Sequence, residues 1–410
     1  MSLFGLFATR GNPLENPAVP LTDPSLWAWM CGPPTDSGIP VSETTAMNTS
    51  AVFRATSLVA GLCGALPIRV LVKRTQEPVS NVLLDDPHPD LTPLELWRLT
   101  GAYRCLWGNA YLQKVRTRGS GRIAWLEPIS PSRVTPGRAA PIEANPSGKV
   151  FRVVDDHGVA RDLTANEILH IPGLAYDSVA GFSPVRLAAQ AIGLALAAER
   201  YGARLFGSGN LLNGLLQTDQ RLTRDQAERL QERWQRRIGG VDRAHTVAVL
   251  DSGAKFASLT MPNDSAQFLE SRNFQVTEIA RFFGIPPYLM FQTEKTTSWG
   301  TSLEQQSRGF TQYDLRTMWL APTEQRITKE LLPRTQVAKY DMTELMRGDS
   351  QARAQYYAVM RQIGALSADD IRAMEDLPPL PDGQGRSHAP LPIPAPVGAA
   401  GDGFQEPADG

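Results

Sequence analysis

The sequence is poor in the residues that usually announce chemistry. It has three cysteines, Cys31, Cys63 and Cys105, and no two of them stand at CxxC spacing. Neither a disulfide framework nor a zinc site is expected, and the cysteines read as small buried hydrophobes in a reducing compartment. The five histidines, at 88, 157, 170, 245 and 388, are scattered through expected loops and strand ends. His170, between Leu169 and Ile171, reads as a core or strand-end histidine rather than a catalyst. There is no GxxxxGK[ST] segment, no HExxH and no GxSxG, so the phosphate-loop, zinc-hydrolase and serine-hydrolase readings lack their signatures. Paired carboxylates occur at Asp85-Asp86, Asp155-Asp156 and Asp369-Asp370. The first two fall in expected turns and the third in the first turn of a helix, places where aspartate serves backbone geometry or the helix dipole. No catalytic residue, metal or cofactor is assigned, and the chain is expected not to be an enzyme.

A basic excess is also missing. Lys and Arg total 41, Asp and Glu 42, and the formal net charge is −1. A protein that grips nucleic acid by its phosphates carries a clear positive excess. Any DNA partner is therefore held weakly or by one local patch. Long apolar runs are absent as well. The most apolar window, Leu58–Val72, contains Pro67 and Arg69 and falls short of the ~20 residues that span a bilayer. The N-terminal Met1-Ser-Leu-Phe-Gly-Leu-Phe has no basic segment, apolar run and cleavage site in order. The expectation is a soluble intracellular protein with no membrane partner.

What is present is enough for a packed core: 42% hydrophobic and 20% charged residues over 410 positions, room for about two or three domains. Residues 1–40 carry seven prolines and no repeating pattern, and 1–44 reads as an extended arm. From Pro378 to Gly410 there are eight prolines and six glycines, which reads as a disordered tail.

Between the ends the pattern predicts an α+β body with an antiparallel sheet over about 45–180. A helix is expected over 48–66, a strand at Ile68–Lys73 and a helix at Leu94–Leu106, with Leu94, Trp97 and Gly101 at helical spacing. Strands are expected at Tyr111–Arg116, Ile123–Leu126, Phe151–Val154 and Leu169–Ile171. The turns between them are marked by Gly119-Ser-Gly121 and Asp155-Asp-His-Gly158. Ser183-Pro184 is a good helix start and opens an alanine-rich helix over Val185–Phe206. A β-α-β-β insert follows: Gly214–Gln217, a helix from Thr223 to about Ile238 with capping-box spacing, Thr246–Leu250 and Lys255–Thr260. A helix over Ser265–Phe283 is stopped by Gly284-Ile-Pro-Pro287. A polar loop, Thr293–Thr301, leads to a helical stretch over Ser302–Leu332, which Pro322 should kink or break. Short helices at Ser350–Ile363 and Ala368–Glu375 finish the body.

The insert is rich in arginine: Arg221, Arg224, Arg229, Arg233, Arg236, Arg237 and Arg243, opposed by Asp225, Glu228, Glu232 and Asp242. Two readings stand. One is a solvated amphipathic helix with i,i+4 ion pairs. The other is a docking face or phosphate guide, with Arg224, Arg229, Arg233, Trp234, Arg236 and Arg237 as its residues.

Several segments, in order, resemble the portal proteins of long-tailed double-stranded-DNA bacteriophages, the siphovirus or lambdoid-prophage type. They are Thr49–Arg54 through Leu66-Pro67, Gly108-Asn-Ala-Tyr111, Glu167-Ile-Leu-His-Ile171 and Gly181-Phe-Ser-Pro184. The most specific run is Arg272–Val276, Ile279–Pro287, Glu294–Gly300 and Glu304-Gln-Gln306. Arg347–Ser350 and Leu377–Pro381 close it. Asp369-Asp370, and Asp-Gly-Gln-Gly after Pro381, depart from the family pattern.

The resemblance implies a portal fold assembled as a ring of about twelve copies around a DNA channel at one capsid vertex. DNA would be packaged through it by a terminase motor and later ejected. Its parts would be an α+β wing (45–182), two stem helices (183–207 and 263–285) and a small α/β clip (208–262). A tunnel loop (286–301), a long helix returning to the wing (302–339) and crown helices (340–377) would complete it, with 378–410 as the tail. The loop facing DNA would comprise Thr293, Glu294, Lys295, Thr296, Thr297, Ser298, Trp299, Gly300 and Thr301. Its Trp299 would brace the loop or touch the duplex. Phe268, Val276, Ile279 and Phe283 recur near helical spacing and would pack the stem, within the subunit or between copies. Implied partners are further copies of the chain, double-stranded DNA passing without sequence specificity, the large terminase subunit, the major capsid or scaffold protein and the head–tail connector. The implied location is the virion, after assembly in the host cytoplasm. The rival classes are another ring-forming virion component, such as a tail or baseplate hub, and a nucleic-acid-processing enzyme.

Overall fold

A computed structural model describes residues 35–143, 145–155, 157–175, 177–207, 214–217, 223–229, 232, 255–258, 265–292, 306–342, 350–375 and 377–389. Two compact units divide between Tyr340 and Asp341. The helices are α1 (Glu43–Ala46), α2 (Ser50–Ala65), α3 (Val82–Asp85), α4 (Pro93–Trp107), α5 (Pro184–Leu187), α6 (Ala189–Gly207), α7 (Ser265–Phe283), α8 (Ala321–Glu330), α9 (Ser350–Gln362) and α10 (Ala368–Met374). The strands are β1 (Ile68–Val72), β2 (Pro78–Val79), β3 (Asn109–Arg116), β4 (Ile123–Ile129), β5 (Val134–Arg138), β6 (Lys149–Val154), β7 (Ala160–Thr164), β8 (Ile168–Pro172), β9 (Gly214–Gln217), β10 (Lys255–Ser258) and β11 (Gln336–Tyr340).

Helix α4 shows how the local sequence sets these boundaries. Thr92 and Glu95 cap each other reciprocally, Pro93 fills the first turn, and Gly108 ends the helix at φ +71 with its N–H on the Arg104 carbonyl. Helices α2 and α4 cross where side chains are smallest. A Cβ on Gly64 would stand 2.5 Å from the Leu94 carbonyl oxygen, and one on Gly101 would stand 3.0 Å from the Ala60 Cα. Only glycine permits that approach.

Where the sequence predicts one antiparallel sheet, the first unit builds three of three strands, in the orders β11-β1-β2, β4-β3-β8 and β5-β6-β7. Strand β11 pairs antiparallel with β1, Ile68 opposite Tyr340, which returns the chain to its own beginning. Leu96 and Trp97 from α4, Leu112, Leu126, Leu169 and Ile171 from the sheet β4-β3-β8, and Ile327 from α8 form the main core. A second cluster joins Tyr111, Phe151, Val153, Leu163 and Ile168. Burying such side chains contributes about 1.5–3 kcal/mol each.

The helix expected over Val185–Phe206 is interrupted after one turn. Ala188 leaves helical geometry at ψ 6, and its N–H is shared between the Arg186 and Pro184 carbonyls. The two helices flanking the insert, α6 and α7, pack on each other. In the insert β9 and β10 pair antiparallel, Gln217 opposite Lys255. Residues 224–229 are helical, with the Thr223 N–H donated to the Gln226 side chain at 3.0 Å. The expected strand Thr246–Leu250 lies outside the described residues.

Pro322 does not break the stretch after the loop. Phe310–Leu320 winds as a π-helix, its last N–H, from Ala321, reaching the Arg316 carbonyl. Pro322 then sits in the first turn of α8. In the second unit Ser367 and Asp370 cap α10 reciprocally. Residues 378–389, read from sequence as the start of the tail, include hydrogen-bonded positions. Leu380 N–H donates to Asp369 Oδ1 at 2.8 Å and Arg361 donates to the Ser387 carbonyl at 2.6 Å. A Cβ on Gly385 would fall 1.9 Å from Asp369 Oδ1. The two departures from the family pattern, at Asp369-Asp370 and Asp382–Gly385, thus pack against each other.

Candidate functional site

The polar loop Thr293–Thr301 lies, with residues 302–305, outside the described residues; the chain is described up to Gln292 and again from Gln306. Tyr288 on the near side and Ser307 on the far side share a hydroxyl–hydroxyl hydrogen bond of 2.8 Å. Arg54, the last residue of the Thr49–Arg54 segment, donates from Nε to the Leu289 carbonyl at 3.0 Å and lies 4.8 Å over the Phe291 ring. Phe291 sits at φ +60, a conformation that a bulky side chain adopts only when its surroundings impose it. The loop therefore springs from a base that α2 fixes. Neither the hydroxyl pair nor the arginine contact was foreseen from the sequence; the position of Arg54 at the end of a family segment was the available signal.

Three other family segments, Gly108–Tyr111, Glu167–Ile171 and Gly181–Pro184, converge at the start of α5. The Asn109 side chain accepts from the Gly181 N–H (2.7 Å) and from His170 Nε2 (2.9 Å), and donates to the Gly181 and Trp107 carbonyls (2.9 and 3.0 Å). Every position of the amide is used. Ser183 caps α5 and also donates to the Leu106 carbonyl. Glycines allow the strands to meet: a Cβ on Gly108 would overlap the Phe182 carbonyl oxygen at 1.8 Å, and one on Gly181 would overlap the Gly108 oxygen at 2.3 Å. Lys149 Nζ donates to His170 Nδ1 (2.9 Å) and to the Ser178 carbonyl (2.7 Å). Burial, with Lys149 and Arg326 nearby, holds His170 well below its ordinary pKa and hence neutral. Burial and the Arg326 and Arg138 guanidiniums lower Lys149 from 10.5 to about 8. His170 is a structural core histidine, as its apolar neighbours suggested. A cavity of about 370 Å³ opens beside this junction, lined among others by Trp107, Tyr111, Pro136, Phe182 and Arg186.

Of the arginine candidates, Arg224 and Arg229 are exposed on the helical segment 224–229. Arg224 pairs with Glu228 at 3.1 Å, an exposed i,i+4 pair worth little by itself. Arg233, Trp234, Arg236 and Arg237 lie outside the described residues. Of the stem candidates, Phe268 is helical in α7 but its side chain is outside the description. Val276 is half-buried, while Ile279 and Phe283 are fully buried inside the subunit. Among the described side chains, the large apolar residues that α7 exposes are Phe274 and Phe282, and those of α5 and α6 are Leu187, Leu194 and Tyr201, seven apart.

Among the described residues no group of His, Cys, Asp and Glu is placed to hold a metal ion, and no helix is long and apolar enough to cross a membrane. The buried polar side chains of the junction, Asn109, His170 and Ser183, fix the backbone at the entry to α5. A structural assembly subunit is the class this arrangement defines.

The chain belongs to the phage portal protein family, whose model matches residues 50–376. It is 33% identical over 396 residues to the probable portal protein of Streptomyces phage phiC31, covering 93% of this chain and 84% of the relative. It is 29% identical to the portal protein of Enterobacteria phage HK97 over 84% of this chain and 82% of that one. Among solved structures it resembles the crystal structure of an HK97 family phage portal protein from Corynebacterium diphtheriae. The TM-score is 0.57 at 17% identity, over 76% of this chain and 98% of that one. It also resembles a chain in the neck of a native gene transfer agent particle computed with C12 symmetry, with a TM-score of 0.53 at 21% identity, over 82% and 94% of the two chains. Portal proteins are non-enzymatic virion components that form the DNA channel at a capsid vertex and assemble as rings in phage and gene-transfer-agent necks.

Proposed function

We propose that this chain is a portal subunit of the long-tailed, lambdoid-prophage type, and that its ring has twelve copies, the symmetry of the gene-transfer-agent neck it resembles. In this reading 45–182 is the wing, α5–α6 and α7 the stem, 208–262 the clip and 340–377 the crown, with 1–44 an arm and 378–410 the tail. The segment 286–301 is the tunnel loop, and 302–339 returns to the wing. The observation that carries the reading is the helix pair. Helices α6 and α7 bury Ile192, Ile279 and Phe283 and hold exposed apolar residues on their outer faces. One outer stripe, Leu187, Leu194 and Tyr201, fits against Phe274 and Phe282 of the next copy. That is a heterologous contact, the kind that closes a ring. Ile279 and Phe283, being internal, do not take part.

The clip arginines, with Arg224 and Arg229 exposed, dock the large terminase subunit during packaging and the head–tail connector afterwards. The wing meets the major capsid or scaffold protein. DNA passes without sequence readout. Each phosphate neutralised by Lys or Arg releases counterions, and about six to ten such contacts bind tightly. The Glu294-Lys295 pair cancels, and Thr296, Thr297 and Ser298 are neutral, so the loop guides without braking. Negative-stain microscopy of the purified full chain is expected to show rings with a central aperture wide enough for a duplex. A strictly monomeric species at all concentrations and salts overturns the proposal.

A further inference from the structure

We infer that Arg104 is the positioning residue for the helix that follows the loop, supplying from the side the hydrogen-bond donor that Pro322 removes from the backbone. Proline has no N–H, so the carbonyl four residues earlier, that of Met318, loses its helical partner. The change from π to α winding at Leu320–Ala321 strands acceptors at the same point, because donors shift from the fifth to the fourth preceding carbonyl. Arg104 Nη2 donates to the Met318 carbonyl at 2.6 Å. Its Nη1 donates to the Trp319 carbonyl and to Thr323 Oγ1 at 3.2 Å. The guanidinium also lies 5.3 Å from the Trp319 ring centre.

Two facts separate this from an ordinary buried arginine. Arg104 is 1% exposed and makes no ion pair with a carboxylate among the described residues. Its charge is met by the Met318 and Trp319 carbonyls, which the proline and the change of winding leave without a full set of helical donors. Its Nε is buried without an acceptor, so the forked end alone determines where the group sits. Trp319 in turn donates from Nε1 to the Phe283 carbonyl at the end of α7 (3.3 Å). The arginine therefore ties α4 to the point where the post-loop helix changes winding, beside the last turn of α7. Releasing it lets Phe310–Leu320 rewind, which turns and shifts the helix end nearest the loop.

The functional consequence rests on the reading of 293–301 as the channel loop; the hydrogen-bond assignment does not. The test is a double-mutant cycle in the full-length ring with Arg104→Met, Pro322→Ala and both together, read by thermal unfolding and by the yield of DNA-filled particles. Arg104→Met alone is expected to lower the folded-to-unfolded ratio about 10- to 100-fold, since it leaves buried carbonyls unpaired. Pro322→Ala returns a backbone N–H to the Met318 carbonyl, so the double variant is expected to regain most of that loss and to fill heads better than Arg104→Met. If Arg104→Met yields no folded protein, Arg104→Lys, which keeps the charge and loses the fork, replaces it in the cycle with the same expectation. Additive thermal losses overturn the assignment. Thermal coupling with normal filling in every variant leaves the assignment standing and overturns the link to the loop.

Discussion

Leu194→Asp is expected to disperse the ring while leaving the subunit folded. Leu194 is 50% exposed in the single subunit. An aspartate there reaches water, and the folding cost stays near the ~0.5 kcal/mol of an exposed helix substitution. In the ring the outcome differs. Burying the remaining half of the side chain recovers about 1 kcal/mol, half of the value for a whole leucine. Aspartate forfeits that and buries a carboxylate opposite an apolar partner, which adds at least about 2 kcal/mol. Roughly 3 kcal/mol is then lost per contact, about 100-fold in its dissociation constant. Because every subunit offers one face to each neighbour, every contact in the ring is weakened alike. Sedimentation velocity at micromolar concentration reads assembly, and circular dichroism reads the fold. Full-size rings of unchanged salt and dilution stability would refute the assignment of this stripe to the subunit contact.

Two further outcomes follow from the buried groups. Lys149, held at about 8 in the folded chain against 10.5 ordinarily, binds fewer protons when folded. Stability should therefore rise with pH between about 8 and 10.5 on this account, and the melting temperature of the native protein relative to Lys149→Met should climb across that window; parallel curves would contradict the lowered value. Cys63 and Cys105 are fully buried, and burial raises Cys63 to about 11 and Cys105 well above its ordinary value. A thiol reagent at pH 8 should label neither in the native protein and both after denaturation, and rapid native labelling of either would mean that the α2–α4 contact opens.

Much of the chain was legible because its signals are local. Helix α7 runs over the expected Ser265–Phe283, since Gly284 and the prolines after it stop it within a few residues. The Ser183-Pro184 start and the Asp155–Gly158 turn, whose Asp155 Oδ1 accepts from the His157 and Val159 N–H groups at 2.9 Å, are of the same kind. What escaped was non-local or weakly patterned. Strand β5 contains Pro136 and Gly137, and β7 reads Ala-Arg-Asp-Leu-Thr; both are edge strands with no clear alternation. Strands β1 and β11 pair from opposite ends of the unit. The π winding depends on Arg104, more than two hundred residues away, and leaves no period of its own. The stem helix shows a related limit. Periodicity groups Val276, Ile279 and Phe283 on one face, but it does not say whether that face meets the same chain or another copy. Burial assigns Ile279 and Phe283 to the first and leaves Phe274 and Phe282 exposed.

The hydroxyl tie between Tyr288 and Ser307 has a consequence for variation. A segment whose two ends are pinned side by side can lengthen at small cost, about 0.6 kcal/mol for each doubling, without moving either helix it joins. The residues between are then free to diverge in length and composition, while the tyrosine and serine are not. Swapping that stretch between relatives becomes a conservative operation, and the hydroxyl pair marks where to cut.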